Sequence, residues 1–280
     1  MKFLSPKAAD IFKITAAAVW PSIVFTTDAT GAHVWHWSIA WDTYKQSGIA
    51  NTVDNTWDAQ SVVDGLGGTL TVNAQAKDAK NVPVSVSINV KIKGDNPLPM
   101  DVDTYLSTKP ESAGFEKIVQ KESQYKHFNH SGEPIKSFDA GYGLCQLTTP
   151  KPSFAQVWSW KRNIDGGLGL YAQKRNSAIT YLSQSSRTYT GDQLKYEAVC
   201  RWNGGSYHVW DAKGLKWVRP SSILCDTRTG NIGWDMNDAE NAGKTEADLR
   251  KRDSGSYSSA PAAGAHWRYS GVCYADRMLG

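Results

Sequence analysis

The chain has no run of about 18 or more apolar residues, so no helical membrane span is expected. Cysteine is scarce. Cys145, Cys200, Cys225 and Cys273 are the full set, and all lie in the C-terminal part. No two have the spacing of a zinc-ligand pair, so no metal centre is expected. The four leave two outcomes open, disulfides in an oxidising compartment or buried thiols. Charge of one sign is also thin. The formal net charge is +4 and no Lys/Arg block forms a nucleic-acid arm, so nucleic acid is not an expected partner. Mild basicity of this size suits weak attraction to an acidic polymer. No Gly-x-Ser-x-Gly elbow occurs, and no internal repeat is visible. Gly166, Gly167 and Gly169 fall inside a helical pattern and not in a phosphate-binding loop. No cofactor is implied.

Aromatics are plentiful, with 12 Trp and 12 Tyr. Aromatic faces stack on the apolar faces of sugar rings, and they also build cores. The run Ile14 to Phe25 has the apolar content of a signal-peptide core. Pro21 breaks it and Thr26-Thr27-Asp28 is a poor cleavage site, so it reads as folded β structure.

The first ~95 residues read as all-β. Trp35, Trp37, Ile39 and Trp41 alternate with His36, Ser38 and Ala40. Leu70, Val72, Ala74 and Ala76 alternate after the turn signal Gly67-Gly68, and Val82, Val84, Val86, Ile88, Val90 and Ile92 alternate with polar partners. Period-2 patterns of this length are half-buried antiparallel strands. Their number and turns predict a small immunoglobulin-like sandwich, an accessory or docking module over 1–97. Gly94-Asp95-Asn96-Pro97-Leu98-Pro99 reads as a linker.

Beyond it the pattern is helical, giving a two-domain α+β chain with a mainly α-helical second domain over 98–280. Thr108-Lys109-Pro110-Glu111 fits a capping box for a helix running to about Tyr125. A second helix is expected from about Asn163 to Leu182, and a third from Thr190 to the stop at Asn203-Gly204-Gly205. Ser254 to Ala265 reads as a loop by composition.

One position breaks the helical pattern. Phe115, Ile118 and Val119 form an apolar stripe that resumes at Tyr125, yet Glu122 stands where the stripe calls for an apolar residue. Burial raises a carboxyl pKa, and a carboxylic acid held protonated near neutral pH can protonate a leaving oxygen. The same position also fits a glutamate at the stripe's margin that reaches solvent or a backbone partner.

Three further motifs follow Glu122-Ser123. They are Gly141-Tyr142-Gly143-Leu144-Cys145-Gln146-Leu147, Asn163-Ile164-Asp165-Gly166-Gly167-Leu168-Gly169-Leu170-Tyr171, and Trp202-Asn203-Gly204-Gly205. In this order they resemble the soluble lytic transglycosylase family, relatives of goose-type lysozyme. That family carries Glu-Ser at a helix end, Gly-Leu-Met-Gln-Leu, Asn-Ile-x-x-Gly-x-x-Tyr-Leu and Tyr-Asn-x-Gly. The resemblance spans about residues 105 to 215. Cys145 stands where the family has Met, and Trp202 where it has Tyr.

The resemblance implies a lysozyme-like second domain that cleaves the β-1,4 bond between N-acetylmuramic acid and N-acetylglucosamine in peptidoglycan. Glu122 would be the single catalytic acid. Gln146 and Asn203 would hydrogen-bond the sugar, Ser123 would orient Glu122, and Trp202 and Tyr207 would be stacking walls. Asp139 offers an alternative. If it faces Glu122 across ~6.5–9.5 Å it would activate water in an inverting muramidase, and otherwise it is a turn residue. A non-catalytic wall-binding protein is the third reading. His127 and His130 form an i, i+3 pair without a clear third metal ligand. The implied place of action is the periplasm or cell wall. Without a convincing signal peptide, the route there is open between an ordinary periplasmic or secreted enzyme and delivery by a phage particle or a secretion machine, for which the β module would be the docking part.

Overall fold

The computed structural model describes residues 1–110, 112–137, 140–258 and 269–280, with side chains described to 253 and again from 269. The chain mixes α and β structure in two compact units. The first comprises 1–104, 125–136 and 142–164, and the second 105–124, 137–141 and 165–280.

In the first unit the strands are β1 (Phe3–Ser5), β2 (Ile11–Ile14), β3 (Val24–Thr27), β4 (His33–Trp41), β5 (Tyr44–Thr52) and β6 (Thr56–Asp58). A short helix α1 (Gln60–Val63) precedes β7 (Gly68–Lys77) and β8 (Pro83–Gly94). One sheet has the order β1-β3-β6, the other β2-β8-β7-β4-β5. The alternating residues do what their period dictates. Trp35, Trp37, Ile39, Leu70, Val72, Ala74, Ile88, Val90 and Ile92 turn inward, and their polar neighbours stay at least partly exposed. Phe25 and Trp57 of the smaller sheet belong to the same core, with Trp57 stacked on both Phe25 (5.7 Å) and Trp35 (5.9 Å). All neighbours are antiparallel except β2 and β8, which pair in parallel from Ile11↔Lys91 to Ile14↔Gly94. The stretch from Ile14 is therefore β only at its ends, with a loop between β2 and β3.

The expected linker holds for residues 95–98, which carry no regular structure between β8 and the next helix, α2 (Pro99–Ser107). Proline needs no hydrogen-bond partner at a first helical position, and Leu98 O accepts from Asp101 N and Val102 N. Thr108 does not cap a following helix. Its hydroxyl donates back to Tyr105 O (2.7 Å), closing α2. The next helix, α3 (Phe115–Ser123), starts later, behind Gly114 at φ 90°. It ends before Tyr125, because Gln124 and Tyr125 both take left-handed backbone.

Then come α4 (Phe154–Trp158), α5 (Trp160–Leu182) and α6 (Gly191–Asn203). The last opens with a complete capping box between Thr190 and Gln193. Two small hairpins follow, β9 (Val209–Asp211) with β10 (Lys216–Val218) and β11 (Ile223–Cys225) with β12 (Gly233–Asp235). Helix α7 (Glu246–Ser258) continues through the first part of the segment expected to be a loop. The cap is made by Thr245 and Asp248, which exchange backbone and side-chain bonds, and a capped helix propagates at little further cost. The remainder of that expected loop, from 259, lies outside the described residues. The terminal helix is α8 (Val272–Leu279), and it packs on α6, α3, β11 and β12. No helix among the described residues is long and apolar enough to cross a membrane.

Of the four cysteines, Cys225 and Cys273 form one disulfide, and Cys145 and Cys200 are buried free thiols. Burial also pushes the Cys200 thiol well above its ordinary range. The native protein should therefore show no thiol reactive toward an aromatic disulfide reagent, and two after unfolding. Replacing Cys225 and Cys273 by Ser frees a crosslink with a sequence separation of 48. That change is expected to lower stability by about 4 kcal/mol, read from the denaturant midpoint of the second unit.

Candidate functional site

In the second unit, Phe115, Ile118 and Val119 of α3 are fully buried, and Glu122 one turn on is half-buried. Its carboxylate is not left to water alone. The Tyr274 hydroxyl of α8 donates to Glu122 Oε1 at 3.0 Å. Burial first, and the negative charge of Glu122 second, push the Tyr274 phenol far above its ordinary range. It is therefore neutral and a standing donor. Lys121 beside Glu122 is held below its usual value by burial and by the Arg277 charge, with Glu122 opposing.

The ring at Trp202 meets Phe115 edge-on at 5.5 Å, so it supports the buried end of the same helix. Phe115 also packs on Tyr171, whose hydroxyl donates to Ala113 O (3.0 Å). Three expected contacts take other partners. Ser123 Oγ donates to Val119 O (3.2 Å), back along its own helix, and does not orient Glu122 through that bond. The Asn203 amide nitrogen donates to Asn231 O (3.1 Å). Tyr207, expected as a stacking wall, is 7% exposed, with its hydroxyl on Asp276 Oδ1 (2.6 Å) and its ring against Tyr196 and His208. A phenol needs a partner when buried, and Asp276 supplies it. Asp139 lies outside the described residues.

In the first unit the glycine-rich motif forms a tight loop held from three sides. His127, weighed above as a metal ligand, is fully buried and fully engaged. Its Nε2 faces Val157 O (2.9 Å), and the Leu144 N–H donates to Nδ1 (3.3 Å), which assigns a neutral ring with the proton on Nε2. Asn163 closes the second side. Its Oδ1 accepts the Cys145 N–H (2.8 Å), and its amide donates to Tyr142 O (3.0 Å) and Gln156 O (3.2 Å). On the third side Tyr142 donates to Asp42 Oδ2 (2.8 Å), which also accepts from Lys136 Nζ (2.8 Å). These two bonds hold the Asp42 carboxyl below its ordinary pKa. Gly143 is obligatory here. Its φ is +70°, and an added Cβ would lie 2.5 Å from His127 and 2.8 Å from Asn163.

This clamping holds Gln146 in left-handed backbone at φ 48°, with its amide nitrogen donating to Gly143 O (2.7 Å). A non-glycine residue kept in that region stores strain that the surroundings must over-determine. Sequence reasoning missed the clamp roles of His127 and Asp42, and it missed Tyr274 altogether. Val272 to Ala275 are buried in the terminal helix, and nothing in the local sequence pairs Tyr274 with Glu122.

Cys225, Cys273 and Asp276 lie close together, but both sulfurs are spent in the disulfide.

His127 also makes the first unit acid-sensitive. Burial pushes its pKa down to about 3 from 6.5. Between those two values the unfolded chain binds a proton that the folded chain does not, so stability falls as pH drops through that window. The full loss is on the order of 4–5 kcal/mol. His127→Gln should be less stable at neutral pH, yet flatter in stability between pH 6.5 and 3, as read by denaturant titration across pH. An unchanged slope would refute the assignment. In comparisons with family models, curated proteins and solved structures, nothing matches this chain.

Proposed function

We propose that the chain is a peptidoglycan-cleaving lytic transglycosylase with Glu122 as its single catalytic carboxyl. The observation that carries this reading is a half-buried glutamate on an otherwise apolar helix face, with a buried tyrosine donating to it. The order of the four motifs along the chain adds support.

In this mechanism Glu122 protonates the glycosidic oxygen between N-acetylmuramic acid and N-acetylglucosamine. The C1–O bond breaks and the leaving sugar keeps that proton as its hydroxyl; the C6 hydroxyl of the same muramic acid then attacks C1 and gives its own proton to Glu122. The product is a 1,6-anhydro sugar, and no second carboxylate is required. Asn203 and Tyr207 serve as internal braces through the partners described above.

The finer fold belongs to the same proposal, an immunoglobulin-like module followed by a lysozyme-like helical domain. The strand order supports the first half. A three-stranded and a five-stranded sheet contribute to one core, and the parallel β2–β8 pair at one edge fits a first strand that switches sheets. Action at the cell wall, with the β module as the part that meets a phage particle or secretion machine, completes the reading.

The test is loss of turbidity of purified sacculi with wild type and Glu122→Gln. The variant should lose at least about 100-fold in rate. Mass spectrometry of the products should show anhydro-muropeptides. Reducing ends would make the enzyme a muramidase and bring Asp139 forward as the water-activating base. Equal activity of the two proteins would leave a wall-binding protein.

A further inference from the structure

We propose that Tyr274 is the positioning residue of Glu122, holding its carboxyl group in place and favouring its ionised form through the phenol hydrogen bond. This rests on the reading of Glu122 as the acid.

The geometry is specific. The bond joins residues 152 positions apart, at 3.0 Å, from a side chain that is 2% exposed. A buried phenol needs an acceptor, and for packing alone any backbone carbonyl would serve. Here it meets the one acidic side chain on the apolar face of α3. Neither group is the residue that a merely structural contact between α3 and α8 calls for, since Phe and Leu would pack there without polar atoms.

Tyr274 is also held more firmly than packing requires. Cys273, before it, is tied to β11 by the disulfide. Asp276, two positions after it, accepts two bonds from Arg219 (2.8 and 2.9 Å) and one from Tyr207 (2.6 Å). A donor fixed from both sides can hold a carboxylate in one rotamer, as a proton-transfer group requires.

The electrostatic effect has a definite sign. A neutral donor stabilises the carboxylate and so opposes the desolvation that favours the protonated acid. Lys121, the adjacent residue on the same helix, interacts electrostatically with Glu122 and with Arg277 of α8. The Lys121 cation acts in the same direction as the phenol. Tyr274 thus sets the balance that lets one carboxyl serve as acid in the first half of the reaction and base in the second.

The experiment uses the full chain and four proteins: wild type, Glu122→Gln, Tyr274→Phe and Tyr181→Phe. Tyr181, whose hydroxyl donates to His208 O (2.8 Å), controls for loss of an unrelated part-buried phenol bond. Carbon-13 NMR follows the Glu122 carboxyl through a pH titration, and sacculus digestion gives kcat and KM across pH. In Tyr274→Phe the Glu122 midpoint should rise by about one pH unit. The basic limb of kcat/KM should move up with it, and kcat should fall about tenfold or more with KM unchanged. Tyr181→Phe should shift neither. If Tyr274→Phe does not fold, a fluorinated tyrosine at 274 keeps the shape and donates more strongly, so the midpoint should move down. An unmoved Glu122 midpoint and full kcat in a folded Tyr274 variant, with Glu122→Gln inactive, overturn this proposal alone. Equal activity of wild type and Glu122→Gln overturns the catalytic reading beneath it.

Discussion

A carboxylate at the margin of a helix's apolar face keeps its charge through water or a protein donor. In this chain Tyr274 supplies a donor, and both helices that carry the pair are held by other contacts. Helix α8 is held at Cys273 by the bond to Cys225 and at Asp276 by Arg219 and Tyr207. Helix α3 is braced through Phe115 by Tyr171 and Trp202. Both helices that meet at the hydrogen bond therefore have their positions fixed elsewhere. The bond itself does not have to hold the fold together, and its energy is available to act on Glu122.

The first unit solves a different problem with the same means. Gln146 must sit in a backbone conformation that costs on the order of 1 kcal/mol or more for a residue with a Cβ. His127, Asn163 and Asp42 each contribute hydrogen bonds to the loop that carries it, and Gly143 lets them approach. Burying a neutral imidazole at full satisfaction is cheap at neutral pH and costly in acid. The same histidine that fixes the loop therefore limits the pH range in which the loop persists.

The strands were legible because their information is local. Trp35-x-Trp37-x-Ile39 and Ile88-x-Val90-x-Ile92 state a face by alternation alone, and Thr190 with Gln193 states a helix start. Glu122 was legible as a departure from a periodic stripe. What was not legible either contradicts a local signal or has none. The linker signal is right for 95–98 but gives no sign that Pro99 opens a helix, and Thr108 fits a start signal while closing the preceding turn. Strands β9 to β12 have three residues each, too short for any period to register. Four cysteines allow several pairings, and only tertiary proximity selects Cys225 with Cys273. Tyr274 was invisible for the same reason. Its partner lies 152 residues earlier, and nothing near position 274 refers to it.

The β strands of the first unit are not an appendage to the loop that carries Gln146. Phe128, Tyr142, Val157 and Trp158 share one core with Trp35, Leu70 and Ile92, and Asp42 at the β4–β5 turn accepts the Tyr142 hydroxyl. Trp41 meets both Tyr142 and Trp158 edge-on, at 6.1 and 5.7 Å. Removing residues 1–95 would strip the buried face from this loop and leave four large apolar side chains without their packing. Loss of activity on such a deletion would not mark the β module as the working part. A substitution on the outward face of the five-stranded sheet, at Thr71 or Ser87, separates a docking role from a scaffolding one, because it leaves the shared core intact.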